Sequence, residues 1–317
     1  MNSCPPYRPF RGAEPPHFVD RPDDDLGSAG ICATSIAAYR RGPIDPRFHR
    51  LVVSGPATGK TALLRAIGRQ AAASLDWAVT FHRCRPKERA LGSATCEILA
   101  SLHRQWPDQA SALAAEVLGL RVAPRGRGRS EGHPAGQGLV PAPPFLAPGA
   151  EPTWTELHRL LQLAGRFAQQ QCRGLLLVFD DADMLTGGEV EGIGHLARTL
   201  SNNGLPVALL LSGGQPLGAR FARVGHFSGA VWPTPIEFFD DNEAREALVV
   251  PALDRGVEFQ DEALQQLCLA AGGSPLDVQR FGFAAWSTAP EGRLICGDDV
   301  EDALAIAGDE LAPARAS

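Results

Sequence analysis

The sequence predicts an α/β protein: a parallel five-stranded sheet flanked by helices, followed by a small all-α unit. Three observations predict it. Leu51–Val53 is a short apolar run that passes through Ser54–Thr61 into Leu63, Leu64, Ile67 and Ala71 at helical spacing. Leu175–Phe179 and Val207–Leu211 are continuous apolar runs, as expected of parallel strands covered on both faces. From residue 240 onward helix starts recur, at Asp240 with Glu243, at Asp261, at Ser274-Pro275 and at Asp298 with Glu301.

Composition bounds the class. A chain of 317 residues can hold one large α/β domain and a small helical one. The formal net charge of -6 provides no global basic field of the kind that attracts nucleic acid. The seven cysteines, Cys4, Cys32, Cys84, Cys96, Cys172, Cys268 and Cys296, are odd in number and form no Cys-x-x-Cys pair. A disulfide or zinc framework is therefore not expected, and a reducing cytoplasm is. No apolar run reaches membrane-spanning length, and the opening residues lack the apolar core of a signal peptide.

In chain order, residues 1–17 are rich in Pro and Arg without periodicity and read as a flexible N-terminal arm, ahead of an α/β domain over 18–239. His17–Leu26 reads either as a solvated turn before a helix from Asp24 to Arg40 or, from its place upstream of the first strand, as an adenine-contacting segment.

Ser54-Gly55-Pro56-Ala57-Thr58-Gly59-Lys60-Thr61, followed by Ala62, sits between a strand and a helix, the context a phosphate-binding P-loop requires. Backbone N–H groups of such a loop and the helix N-terminus make a concave anion site. Gly59 lets the backbone approach, Lys60 reaches the β- and γ-phosphates, and the Thr61 hydroxyl can ligate Mg²⁺. Ser54 stands where the pattern has its first Gly, so the tight turn is expected to strain Ser54.

Trp77–Phe81 predicts the second strand, and Lys87–Trp106 and Leu113–Leu120 predict helices. Residues 121–150 carry six Pro and six Gly and read as a disordered insertion. Its Arg121, Arg125, Arg127 and Arg129 suit either nucleic-acid contact or a soluble linker. Thr153 and Glu156 form a capping box that opens a helix running to Gln171.

The strand Leu175–Phe179 ends in Asp180-Asp181-Ala182-Asp183. Carboxylates at the C-terminal end of a parallel strand face the crevice where such sheets bind ligands. Asp180 is placed to hold Mg²⁺ and Asp181 to polarise water. A helix over Glu189–Leu200 leads to the strand Val207–Leu211, expected between the P-loop strand and the Asp-Asp strand. Ser212 or Gln215 would then sense the γ-phosphate, or simply start a loop. Beyond lie Arg220 and Arg223, ordinary surface or an arginine finger for a neighbour's nucleotide. Thr234–Phe238 predicts the last strand, four helices over 240–307 a lid, and 308–317 a frayed tail.

With these pieces in register, residues 17–307 resemble AAA-type P-loop ATPases of the initiator and signal-transduction branch, which includes origin-recognition-like ATPases and STAND-type NTPases. SGPATGKT resembles Walker A, LLLVFDDAD Walker B, LLLSGGQP the sensor-one strand, and AAGGSPLDVQR the lid. PHFVDRPDDDL is similar to the family's N-terminal Phe-Val-Gly-Arg-Glu box, with Asp20 for Gly and Pro22 for Glu. The resemblance implies ATP and Mg²⁺ binding, slow hydrolysis, oligomerisation and the sheet order 5-1-4-3-2. It also implies that Pro275 lies near the nucleotide and that Arg280 is a sensor-two arginine. Asp181 stands where many relatives carry Glu, a shorter reach that implies slower turnover.

The expected function is an ATP-driven switch or assembly factor. Its rivals are an ATP-binding scaffold with negligible turnover and a DNA-associated loader or transposition-type ATPase regulator. The family's usual DNA-binding or sensor domain is not evident after the lid, so output is expected through an unidentified protein partner or the chain's own surface. Self-association is expected, nucleic acid is possible but not indicated by net charge, and no membrane is involved.

Overall fold

The computed structural model describes residues 5–9, 15, 17–19, 49–86, 90–118, 152–224, 231–289 and 294–311. The expected helix over 24–40, Asp20 and Pro22 of the N-terminal box, and the insertion over 121–150 lie outside the described residues.

The elements are β1 (Arg50–Val53), α1 (Lys60–Leu75), β2 (Ala78–Arg83), α2 (Ala90–Gln105), α3 (Pro107–Leu118), α4 (Trp154–Gln170), β3 (Leu175–Asp180) and a 3₁₀ turn (Ala182–Met184). They continue with α5 (Gly187–Asn202), β4 (Val207–Gly213), α6 (Gln215–Arg223), β5 (Trp232–Pro235) and α7 (Asp241–Leu253). The last are β6 (Glu258–Phe259), α8 (Asp261–Ala271), α9 (Pro275–Thr288), β7 (Leu294–Ile295) and α10 (Gly297–Leu311).

The sheet is parallel throughout, in the order β2-β3-β4-β1-β5, which is the expected order read from the other edge. Alternation on the central strands decides which helix covers which face. Leu175, Leu177 and Phe179 pack with Leu209 and Leu211 under α2 to α6, while Leu176, Val178, Ala208 and Leu210 pack with Leu64 and Ile67 of α1. Both faces of β3 and β4 are therefore dry, and every residue of the two strands is buried.

The final strand begins two residues earlier than expected and ends at Pro235, and its prolines explain its place at the edge. Trp232 N–H donates to His49 O at 2.7 Å and Ile236 N–H to Val53 O at 3.2 Å. Residues of the opposite parity, Pro233 and Pro235, would aim their amides away from β1, where a missing donor breaks no ladder bond.

Helix starts follow local chemistry. Thr153 with Glu156 and Asp240 with Glu243 close their capping boxes, and Thr186 with Glu189 forms one that moves the start of α5 ahead of the expected Glu189. At α10 the acceptor is Asp299, not the expected Asp298 pair: Cys296 N–H donates to Asp299 Oδ2 at 2.8 Å. The helix begins at Gly297 and runs to Leu311, past the expected lid end at 307. Two short parallel strands, β6 and β7, join the lid as well and were not expected from the sequence.

Helices α7 to α10 enclose their own core around Leu248, Leu267, Val278 and Phe281. Tyr7 and Val19 belong to that core. Residues 5–9, read from the sequence as part of a loose arm, thus include a tyrosine only 2% exposed, because its ring offers the lid more apolar area than solvent contact would repay.

Candidate functional site

The P-loop begins at β1 and ends at Gly59, the N-cap of α1, whose φ of 88° lies in the left-handed region that glycine tolerates. Leu63 N–H donates to Gly59 O at 3.0 Å and starts the helix. The expected strain does not fall on Ser54. Among the described non-glycine residues of the loop only Ala57 has positive φ, at 64°. Ser54 is instead a buckle inside the loop: its hydroxyl lies 2.5 Å from Thr58 Oγ1, and both residues are buried. A serine in place of the pattern's glycine is thereby used to tie the loop to itself.

Lys60 Nζ donates to Gly55 O at 2.5 Å, to Ser54 O at 3.2 Å and to Ser54 Oγ at 3.3 Å. Burial lowers the pKa of this ammonium, and the carboxylates of Asp183, Asp181 and Asp180 oppose that shift.

The strand-end carboxylates take different positions. Asp180 is 1% exposed and accepts from Thr61 Oγ1 at 2.8 Å through Oδ2 and from Ser212 Oγ at 2.5 Å through Oδ1. Ser212 Oγ also accepts from Asp181 N–H at 3.3 Å. One hydrogen-bonded chain therefore joins the P-loop helix, the end of β3 and the end of β4. Asp181 sits in left-handed backbone, φ 54°, and its carboxylate accepts from Arg83 Nε at 2.8 Å. Asp183 accepts from Gly214 N–H at 2.7 Å and braces the exit of β4.

A cleft of about 300 Å³ lies over the loop. Its floor is Pro56–Leu63 with Arg83 and Asp181 at one side. Phe18, Val19, Ile236, Phe239 and Ala247 give it an apolar wall, and Pro275, Leu276 and Gln279 of the lid close over it. The lid stands close over the loop: a methyl group placed on Gly59 would meet the Pro275 ring at 3.6 Å.

Several sequence-marked residues are not brought to this cleft. Ser54 and Gly55 are absent from its lining, as is Arg280, which donates to Asp277 Oδ1 at 3.1 Å within its own helix; Gln279 is the lining residue there. Gln215 is exposed at the start of α6, leaving Ser212 as the polar side chain that meets Asp180. Arg220 is spent within the domain, donating to Asp183 O at 3.0 Å and to Leu185 O. Arg223 is exposed and makes no hydrogen bond or ion pair among the described residues.

Sequence reasoning missed Arg83, Gln279 and Arg8, all of which line the cleft. Arg83 had a signal, since it ends the strand that pairs with β3 in register at Asp180. The other two lie in segments whose meeting no local pattern encodes.

A strand, Gly-containing loop and helix, with an acidic strand end beside it in a parallel sheet, define a P-loop nucleoside-triphosphatase fold. The chain belongs to the AAA ATPase domain family, whose model matches residues 36–211. No curated protein matches the chain. Among solved structures it is similar to the Orc1 protein of Aeropyrum pernix in complex with DNA, at 17% identity and a TM-score of 0.51, covering 88% of this chain and 64% of that one. It is also similar to Cdc6p of Pyrobaculum aerophilum, at 15% identity and a TM-score of 0.55, covering 92% of this chain and 69% of that one. A Walker-type ATPase of Pyrococcus abyssi matches at 15% identity and a TM-score of 0.52, covering 94% of this chain and 77% of that one. At these identities the likeness is one of fold. The chain spans less than two thirds of the Aeropyrum protein's length. Among the described residues no helix is long and apolar enough to cross a membrane.

Proposed function

We propose that this AAA ATPase domain is a Mg²⁺-dependent ATP switch that hydrolyses ATP slowly and resets through its lid. The observation that carries the reading is the chain Thr61–Asp180–Ser212, which ties the phosphate loop to two strand ends in a cleft that the loop shares with Pro275 of the lid. Thr61 Oγ1 and Asp180 Oδ2, 2.8 Å apart, are hard oxygen donors of the kind Mg²⁺ prefers. Among the described residues no set of three or more His, Cys, Asp or Glu side chains could hold a metal alone. Mg²⁺ would therefore complete its shell with phosphate oxygens and water, as it does in nucleotide sites. The ion would neutralise charge on the β- and γ-phosphates.

The protein's own groups divide the remaining work. Loop amides and Lys60 bind the phosphates, the apolar wall receives the base, and Asp181 orients a water toward the γ-phosphate once it leaves Arg83. Pro275, at the N-terminus of α9, transmits occupancy of the loop to the lid. Arg223 reaches a neighbouring protomer's nucleotide when copies associate.

The rival scaffold reading is favoured by one observation, the Arg83–Asp181 pair, which engages the carboxylate that would orient water. A DNA-associated role would follow the Orc1 likeness, but the net charge of -6 does not support it. Steady-state phosphate release with and without Mg²⁺ separates switch from scaffold. Mg²⁺-dependent release abolished by Asp181→Asn supports the switch. Tight ATP binding with no release at any protein concentration would leave the scaffold.

A further inference from the structure

The short segment at residues 5–9 delivers an arginine to the cleft. Its anchor is Tyr7, whose hydroxyl donates to Leu248 O of α7 at 2.7 Å and whose ring meets Trp286 edge-on at 6.4 Å. The slot exists because α9 has a glycine there: a methyl group on Gly282 would stand 2.9 Å from the Tyr7 ring. The backbone N–H of Arg8 then donates to Gln279 Oε1 at 3.2 Å, and Gln279 is a buried side chain of the cleft's lid wall. Arg8 lines the same cleft as the P-loop residues, and its guanidinium has no hydrogen-bond or ion-pair partner among the described residues. Arg280 of α9 is meanwhile paired with Asp277 and stands outside the lining. At this point α9 offers the cleft a neutral amide, and the N-terminal segment adds an arginine to its lining.

We propose that Arg8 is a nucleotide-binding residue whose guanidinium contacts the phosphate chain of a nucleoside di- or triphosphate held on the P-loop. Resting on the nucleotide-binding reading of the cleft, it adds a cation from the lid side to the loop side's Lys60. A planar guanidinium suits phosphate oxygens, which it can grip through two N–H groups at once. Tyr7 acts as a positioning residue, because its burial fixes the backbone on which Arg8 is carried.

The test is calorimetric titration of Mg²⁺-ATP and Mg²⁺-ADP into wild type, Arg8→Lys, Arg8→Ala, Arg8→Glu and Lys60→Ala, with thermal unfolding of each without nucleotide. Arg8 is exposed, so the melting temperatures should coincide. The expected result is an affinity order that follows charge, with Arg8→Ala about tenfold weaker than wild type, Arg8→Lys between them and Arg8→Glu weakest. Wild-type affinity in Arg8→Ala and Arg8→Glu, with Lys60→Ala defective, would overturn the role of Arg8 alone. Failure of the wild type itself to bind would overturn the nucleotide reading with it.

Discussion

Arg83 Nε donates to Asp181 Oδ2 at 2.8 Å, linking the ends of two neighbouring strands at the rim of the cleft. The pair is half-exposed, with the side chains 55% and 42% accessible. An ion pair of that exposure contributes about 0.2–1 kcal/mol, enough to bias the carboxylate and not enough to lock it. Arg83→Ala is expected to raise basal phosphate release up to about fivefold, the rate equivalent of that energy, with ATP affinity unchanged. Steady-state release measures it. A fall in turnover would show that Arg83 acts on the nucleotide instead.

Asp180 and Asp181 should separate under substitution. Asp180 accepts from two hydroxyls in a buried site, so Asp180→Asn should weaken Mg²⁺-dependent ATP binding at least about tenfold and lower stability by roughly 1–3 kcal/mol through an ill-matched buried donor. Asp181 is partly exposed, and Asp181→Asn should spare binding while reducing release by about a hundredfold or more. Calorimetry and release assays on both variants decide it, and equal loss of ATP binding in the two would contradict the division.

The two arginines of α6 also part company. Arg220 holds the carbonyls of Asp183 and Leu185, so Arg220→Ala should lower the melting temperature before it changes any assembly-dependent rate. Arg223→Ala should leave stability unchanged and remove the rise of turnover with protein concentration. Mixing Arg223→Ala with Lys60→Ala should restore part of the activity. Rates independent of concentration in a protein that sedimentation shows to stay monomeric would rule out a finger acting between copies.

How much of this was legible depended on whether the determining contacts were local. The P-loop, the Asp-Asp strand and the capping boxes at Thr153 and Asp240 each lie within a few consecutive residues, and the sequence displays them whole. The sequence points to strain at Ser54 and the structure puts it at Ala57, because a missing glycine marks where freedom is absent but not where the turn demands it. Tyr7 bonds a carbonyl 241 residues away, and its neighbours carry no periodicity, so its burial had no local trace. The two-residue strands β6 and β7 are too short to show alternation. Arg280 and Gln279 differ by one step around α9, and only the helix's seating on the cleft decides which of them faces it.

His49 adds a pH dependence to the fold. It is fully buried before β1, with Nδ1 accepting from Leu209 N–H at 3.1 Å and Nε2 2.9 Å from Ser201 Oγ. Burial lowers its pKa from 6.5 to about 4, with a backbone hydrogen bond at Ala197 opposing the shift. The folded protein therefore resists a proton that the unfolded chain accepts. The stability from neutral His49 is fully present above pH 6.5 and is lost as the pH falls toward 4, by roughly 3 kcal/mol in all. Urea unfolding between those limits should show this slope in the wild type and a shallower one in His49→Gln. Parallel slopes would contradict it.

The claim on which the rest depends is that the loop from Ser54 to Thr61 binds a nucleotide through Lys60. Titration of ATP into wild type and Lys60→Ala, with and without Mg²⁺, tests it most directly. The expected result is saturable binding by the wild type, strengthened by Mg²⁺ and lost in Lys60→Ala, while both proteins keep the same secondary structure by circular dichroism. Equal affinity in the two folded proteins would contradict it.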